Sequence, residues 1–261
     1  MGQRGATTGD SATAKLVTSV TVFLVVCWAG VIAFDVVGDT SDGVPVWGLL
    51  FNHGPVEWLQ WVLLLAAVVV AARGSVTVGG TSGRYLKWMS IGVSAMLLED
   101  AGDIRHVLSD WTVAGFGASV GPVPTETSTD LVFFALIAAV PVAAIIRFGR
   151  ELLALRAVRG WLVSGYVLYG AAAIGSGLSG LGLYEQLGLW MDRWMFAGQL
   201  SIPFEADYGW SLFMFVDGAV EESVELLAVM CLLVALWRLA DQRQDSDASQ
   251  EVGRTVPERN E

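Results

Sequence analysis

Residues 97–106, LLEDAGDIRH, concentrate more chemistry than any other stretch of this chain: Glu99, Asp100, Asp103, Arg105 and His106 are all ionisable and end an otherwise apolar run. Glu99, Asp103 and His106 follow at i, i+4 and i+7, a spacing that a continuous helix puts on one face. A second acidic set answers it in the last apolar segment, residues 215–227 (FVDGAVEESVELL), with Asp217, Glu221, Glu222 and Glu225. Carboxylates joined by one imidazole suit Mn, Fe or Zn, and oxygen ligands alone suit Mg or Ca. Carboxylates crowded together also share protons as a coupled set. The expected metal or cation site is therefore Glu99, Asp103, His106, Asp217, Glu221 and Glu225, with Arg105 and Glu222 as charge partners and a divalent cation as the implied cofactor. No residue is assigned a catalytic role.

The elements that must position these groups are membrane helices. The 261 residues are 54% hydrophobic, with a mean hydropathy of +0.57, and several uncharged runs approach the ~20 residues that cross a bilayer. The expected fold is an all-α polytopic membrane bundle of six transmembrane helices, at about residues 16–37, 58–72, 85–106, 131–147, 161–184 and 211–239. Residues 1–14 and 241–261 read as disordered cytoplasmic tails around a membrane domain at 15–240. Pro141 should kink the fourth span. The glycines of the fifth, Gly165 to Gly182, read as close-packing positions. Leu187, Trp190, Met191 and Trp194 recur at helical spacing, which predicts an outer interfacial helix over 187–196, with Phe204, Tyr208 and Trp210 extending an aromatic belt. Residues 38–57, carrying His53, and residues 107–130, ending in the polar run Thr125 to Asp130, read as loops.

Charge sets the topology. The net charge is −11, and of fifteen basic residues only Lys15 and Lys87 are lysine. This acid-rich, lysine-poor composition resembles the proteins of salt-loving archaea, and it excludes a nucleic-acid partner. Arginines cluster in alternate connections, at 73–87, 147–159 and 238–243, which by the positive-inside rule puts both termini in the cytoplasm of a cell-membrane protein. Both acidic sets then fall in the middle and outer half of the bilayer. Each mid-membrane carboxylate costs roughly 2.5–3.5 kcal/mol, so four or five total on the order of 10 kcal/mol. They must be protonated, solvated in a cavity or bound to a cation. The expected contact is between the third and sixth spans, with Arg105 bridging to a nearby carboxylate, while Asp100 and Asp35 read as structural. Cys27 and Cys231, both in apolar segments, read as small hydrophobes without a disulfide.

The leading functional expectation is a membrane-embedded site for a cation or protons. A metal-dependent enzyme acting on a lipid or isoprenoid is the second, and a non-catalytic assembly or sensory component the third. Glu99-Asp100-x-x-Asp103 only loosely echoes the Asp-rich signatures that hold Mg-diphosphate in intramembrane transferases. The last span contains no Lys, which excludes a retinal Schiff base. The paired patterns LEDAGDIRH and EESVELLAVMCLLVALW resemble those of uncharacterised multipass prokaryotic proteins that combine an acidic-plus-His helix with a later Glu-Glu-x-x-Glu-Leu helix. That resemblance covers two of the six spans and implies a membrane bundle, but no activity.

Overall fold

A computed structural model describes residues 8–38, 44–120, 123–200 and 207–254. Its elements are α1 (Thr8–Val31), α2 (Val46–Leu50), α3 (Pro55–Thr77), α4 (Gly80–Gly102), α5 (Ile104–Phe116), β1 (Ser119–Val120), β2 (Val123–Pro124), α6 (Thr125–Leu152), α7 (Arg156–Gly177), α8 (Leu183–Met195), α9 (Tyr208–Phe215) and α10 (Glu222–Arg254). Two π-helical turns interrupt this pattern, Ile32–Val36 after α1 and Val216–Glu221 between α9 and α10. The first helix already begins at Thr8 and the last runs to Arg254, inside stretches expected to be tails. Residues 1–7 and 255–261, and Phe204 of the aromatic belt, lie outside the described residues.

The fold is an all-α bundle built around α10. Leu226, Val229, Leu232, Leu233, Leu236 and Leu239 are buried all round that helix, as expected of a helix enclosed by others. α3 and α7 flank it most extensively, and α4 packs on α3 and α6. Gly165 of α7 lies so close to α10 that an added Cβ would sit 2.8 Å from Leu232, and Gly74 of α3 closes on Leu86 and Ala240 in the same way. These are the small-residue approaches that hold helices together where no hydrophobic effect drives them. α6 runs unbroken through Pro141, whose ring packs against Gly92 of α4, and the Tyr166 hydroxyl donates to the Pro141 carbonyl at 2.9 Å.

Among the described residues five segments are long and apolar enough to cross a membrane, Asp10–Val36, Val46–Thr77, Thr125–Leu152, Arg156–Gly177 and Tyr208–Asp241. α4 is as long, at 23 residues, but it carries Arg84, Lys87, Glu99 and Asp100 and buries Tyr85, Leu86, Met89, Val93 and Met96 within the bundle.

The expected third span, residues 85–106, does not continue to His106. α4 stops at Gly102 because Asp103 takes a left-handed conformation (φ 48°), one that Asp tolerates better than most side chains. The chain restarts as α5, whose Trp111 and Phe116 point away from the protein, and β1 and β2 form a small antiparallel hairpin ahead of α6. Where a loop was expected over 107–130, the described residues form the amphipathic α5, the β1–β2 pair and the first turns of α6. α8 occupies the region expected as an interfacial helix, with Trp190 and Trp194 exposed. Its buried Asp192 accepts from Leu200 N–H at 3.0 Å and from the Tyr208 hydroxyl at 2.5 Å, which fastens α8 to the start of α9.

The two ends of the bundle differ in charge. At one end Arg84 lies over the Phe148 ring, and Arg238 reaches the Ala157 carbonyl and the Asp10 carboxylate (3.0 Å). At the other, Asp35 is fully buried and its two oxygens accept from Val46 N–H (2.8 Å) and Trp47 N–H (2.7 Å), amides of the first turn of α2. Asp35→Ala should remove the carboxylate acceptor of these two amides and lower stability by about 1–3 kcal/mol. Unfolding of the detergent-solubilised protein measures this, and an unchanged midpoint would contradict the capping role.

Candidate functional site

A cavity of about 520 Å³ opens at the acidic end of the bundle, where α3 and α6 begin and α4 and α7 end. Among the described residues lining it are nine carboxylates, including Glu57, Glu99, Asp100, Asp130, Asp217 and Glu222, against one guanidinium, Arg105. Such an imbalance at a site this enclosed has to be met by hydrogen bonds, protons or a bound cation.

Arg105 is positioned by the break at Asp103, which redirects the chain so that its guanidinium points back into the bundle. Its Nε lies 4.0 Å from Glu99 Oε1, one terminal nitrogen donates to Ser176 Oγ at the end of α7, and the other is 3.1 Å from His106 Nε2. The Cζ sits over the Phe134 ring, 5.1 Å from its centroid. Burial works against the charged guanidinium, but the carboxylates of Glu221, Asp130, Glu99 and Asp217 more than offset it and the Arg105 pKa is raised. Arg105 therefore stays charged and balances several acids at once.

The interior acids have individual donors. Gln60 of α3, fully buried, donates from Nε2 both to Asp100 Oδ2 (2.9 Å) and to Glu225 Oε2 (2.8 Å). Tyr184 of α8 donates to Glu221 Oε2 at 2.5 Å. Burial, followed by the nearby Glu221 charge, pushes the Tyr184 pKa up, so this hydroxyl remains a donor. Two acids are left over. Asp130 is only 6% exposed, yet its Oδ1 has no hydrogen-bond partner, and neither has Oε2 of Glu222.

The last acidic set is divided by the π-helical turn. At α-helical spacing Asp217, Glu221 and Glu225 share one face. Across Val216–Glu221 the repeat lengthens toward i+5, and Asp217 and Glu222 line the cavity while Glu221 and Glu225 turn to Tyr184 and Gln60. Glu222, expected only as a charge partner, is a cavity residue.

The expected set of Glu99, Asp103, His106, Asp217, Glu221 and Glu225 gathers at this end of the bundle but does not converge on one point. Asp103 and His106 pair with each other at 3.7 Å on the rim, with side chains 60% and 52% exposed, because the break at Asp103 separates them from the face of Glu99. Among the described residues no group of three or more His, Cys, Asp or Glu side chains is arranged to hold a metal ion. The donors do not fit a divalent metal centre. α4 and α10 meet only lightly, and Gln60 stands between their acids where a direct contact was expected. Asp100, read as structural, belongs to the cluster; Asp35 is the structural acid; His53 sits at the mouth beside Glu57, 3.4 Å away.

Sequence reasoning missed Gln60, Ser176, Tyr184 and Asp130. Gln60 carried a signal, being a lone amide within the apolar run WLQWVLLL. Asp130 sat in the polar run ETSTD, which reads as loop but forms the first turns of α6. Comparison with protein-family models, curated proteins and solved structures finds no match.

Removing the guanidinium tests this balance. Arg105→Met should destabilise the protein at pH 7 by about 3–5 kcal/mol, the cost of leaving buried charges uncompensated. The loss should shrink at pH 5, where the orphaned carboxyl groups take up protons. Thermal unfolding at the two pH values measures it, and an equal loss at both would show that packing on Phe134, not charge, is what Arg105 supplies.

Proposed function

We propose that this chain is a polytopic membrane protein that takes a cation into the acid-lined cavity in exchange for protons. The observation that carries the reading is Asp130, a buried residue of the cavity wall whose Oδ1 has no hydrogen-bond partner in the protein. An unpaired buried carboxylate must hold a proton or meet a positive ligand, and the carboxylates that outnumber Arg105 make the site selective for positive charge. An anionic head such as a diphosphate would be repelled, and without a converging ligand set no divalent metal bridges it to the acids. The lipid-directed metalloenzyme is therefore the weaker reading.

In this reading α4 crosses the membrane with the five apolar segments. The arginine-rich end faces the cytoplasm together with both termini, and the cavity opens to the outside. Tags at the two termini should be accessible only from the cytoplasmic side, and an extracytoplasmic C-terminus would refute the arrangement.

Cation binding is measured by proton release. Sodium, potassium and tetramethylammonium are added separately to the purified protein in weakly buffered detergent solution. At least one should displace protons, with an affinity that falls by up to about tenfold per pH unit lowered for each proton exchanged. Asp130→Asn, Glu99→Gln and Glu221→Gln should each reduce the release while the protein stays folded. No release with any of the three cations would refute the proposal, and wild-type release in all three variants would place the binding elsewhere.

A further inference from the structure

We infer that α5 lies in the bilayer, with the acyl chains of the leaflet at the acidic end of the bundle as the partner of its exposed apolar face. α4, the break at Asp103 and α5 then make one interrupted membrane span. The inference shares with the reading above the membrane passage of α4. It needs neither cation exchange nor a particular orientation of the bundle.

α5 has three faces. Ile104, Val107, Leu108 and Trp111 recur at i, i+3, i+4 and i+7, which is one side of a helix. All four are exposed, Trp111 to 72%. A second side packs on the protein. There Ser109 is buried, the Thr112 hydroxyl is 2.8 Å from that of Thr129 on α6, and the Arg105 guanidinium lies over the Phe134 ring. His106 and Asp110 fall on the remaining side, both exposed, and His106 lines the cavity. An amphipathic helix in water turns its apolar side toward the protein. Among the described residues, the apolar side of α5 is the one left uncovered.

Its neighbours fix its depth. α5 runs antiparallel to the start of α6, with Arg105 beside Phe134 and Thr112 beside Thr129. Just past its end, the carbonyls of Gly117 and Ala118 accept from the Thr125 hydroxyl (2.6 Å) and the Thr125 N–H (3.1 Å). Residues 125–134 belong to the segment Thr125–Leu152, which is long and apolar enough to cross a membrane. From Phe134 to Thr125 that helix rises about 14 Å, close to the hydrocarbon thickness of one leaflet. α5 therefore stands at the height of that leaflet.

At this height, whatever protein does not cover meets hydrocarbon, and a polar or charged stripe would be costly. The stripe on α5 contains neither. Leu131 and Val132, on the same stretch of α6, are exposed as well, so both helices present apolar side chains at one level. Trp111 sits toward the headgroup end of the stripe, where indole rings are favoured. In this placement α5 is a partition, with hydrocarbon on one side and the acid-lined cavity on another.

Spin labelling of the full chain in nanodiscs tests the placement. Nitroxides are attached in turn at Val107→Cys, Leu108→Cys and Asp110→Cys, all exposed positions where a label needs no room in the core. The unsubstituted chain, whose Cys27 and Cys231 are both buried, serves as the blank. Collisions with oxygen, which concentrates in hydrocarbon, are compared with collisions with a water-soluble nickel chelate. Oxygen should prevail at 107 and 108, and the chelate at 110. Labels at 107 and 108 that meet the chelate as readily as the label at 110 would put α5 in water and overturn the inference. Labels there that meet neither reagent would show the stripe covered by a second copy of the chain, which overturns it equally. Cation-driven proton release is not read in this experiment, so the two proposals fail separately.

Discussion

Charge balance at one end of the bundle is the constraint on which the other features depend. Among the described residues, nine carboxylates line a cavity that offers a single guanidinium, so each acid needs a donor, a proton or a counter-ion. Neighbouring helices supply neutral donors to these acids, Gln60 from α3 and Tyr184 from α8. Arg105 reaches the middle of the group only because α4 breaks at Asp103. Had the helix continued, Glu99, Asp103 and His106 would lie on one face, and the guanidinium would leave that face one residue short of His106. The left-handed residue is what turns a charged helix end into a lined cavity.

The same residue type serves two ends in this protein, and partners tell them apart. Asp35 and Asp192 are buried with both oxygens engaged, by two amides in one case and by an amide and a phenol in the other. They are joints: a carboxylate used as a short connector between a helix end and the chain that follows. Asp130, in the cavity wall, is buried to a similar degree with one oxygen left without a hydrogen-bond partner. Burial alone does not separate the two roles; hydrogen-bond accounting does.

Much of this was legible in the chain as written. Apolar runs of membrane-spanning length located the long helices, and the two acidic clusters located the end of the bundle where the cavity lies. The single-face pattern at 99–106 failed because hydrophobic periodicity carries no signal for one residue in the left-handed region, although the Gly102-Asp103 pair is the kind of sequence that tolerates it. The α-helical spacing of Asp217, Glu221 and Glu225 failed for a related reason: a π-helical turn changes the repeat without changing composition. Gln60 carries no charge to mark it in an apolar run, yet an amide in a span must also find partners, and it finds two carboxylates. Asp130 was assigned to a loop because polar residues at a helix start resemble those of a connection. Pairings of this sort depend on which helices are neighbours, and spacing along one helix does not contain that information.

The π-helical turn at Val216–Glu221 has an evolutionary meaning as well as a geometric one. Such a turn is an α-helix with one residue too many, the footprint of a single-codon insertion absorbed without breaking the helix. One residue corresponds to about 100° of rotation, so everything on the α9 side, Trp210 and Phe213 included, is turned by that angle against the buried faces of α10. An ancestor lacking the extra residue would have kept the same packed core on α3 and α7 while presenting a different wall to the space now lined with carboxylates. A change of one residue in length at this turn is thus enough to alter the wall of the cavity without repacking the core around α10.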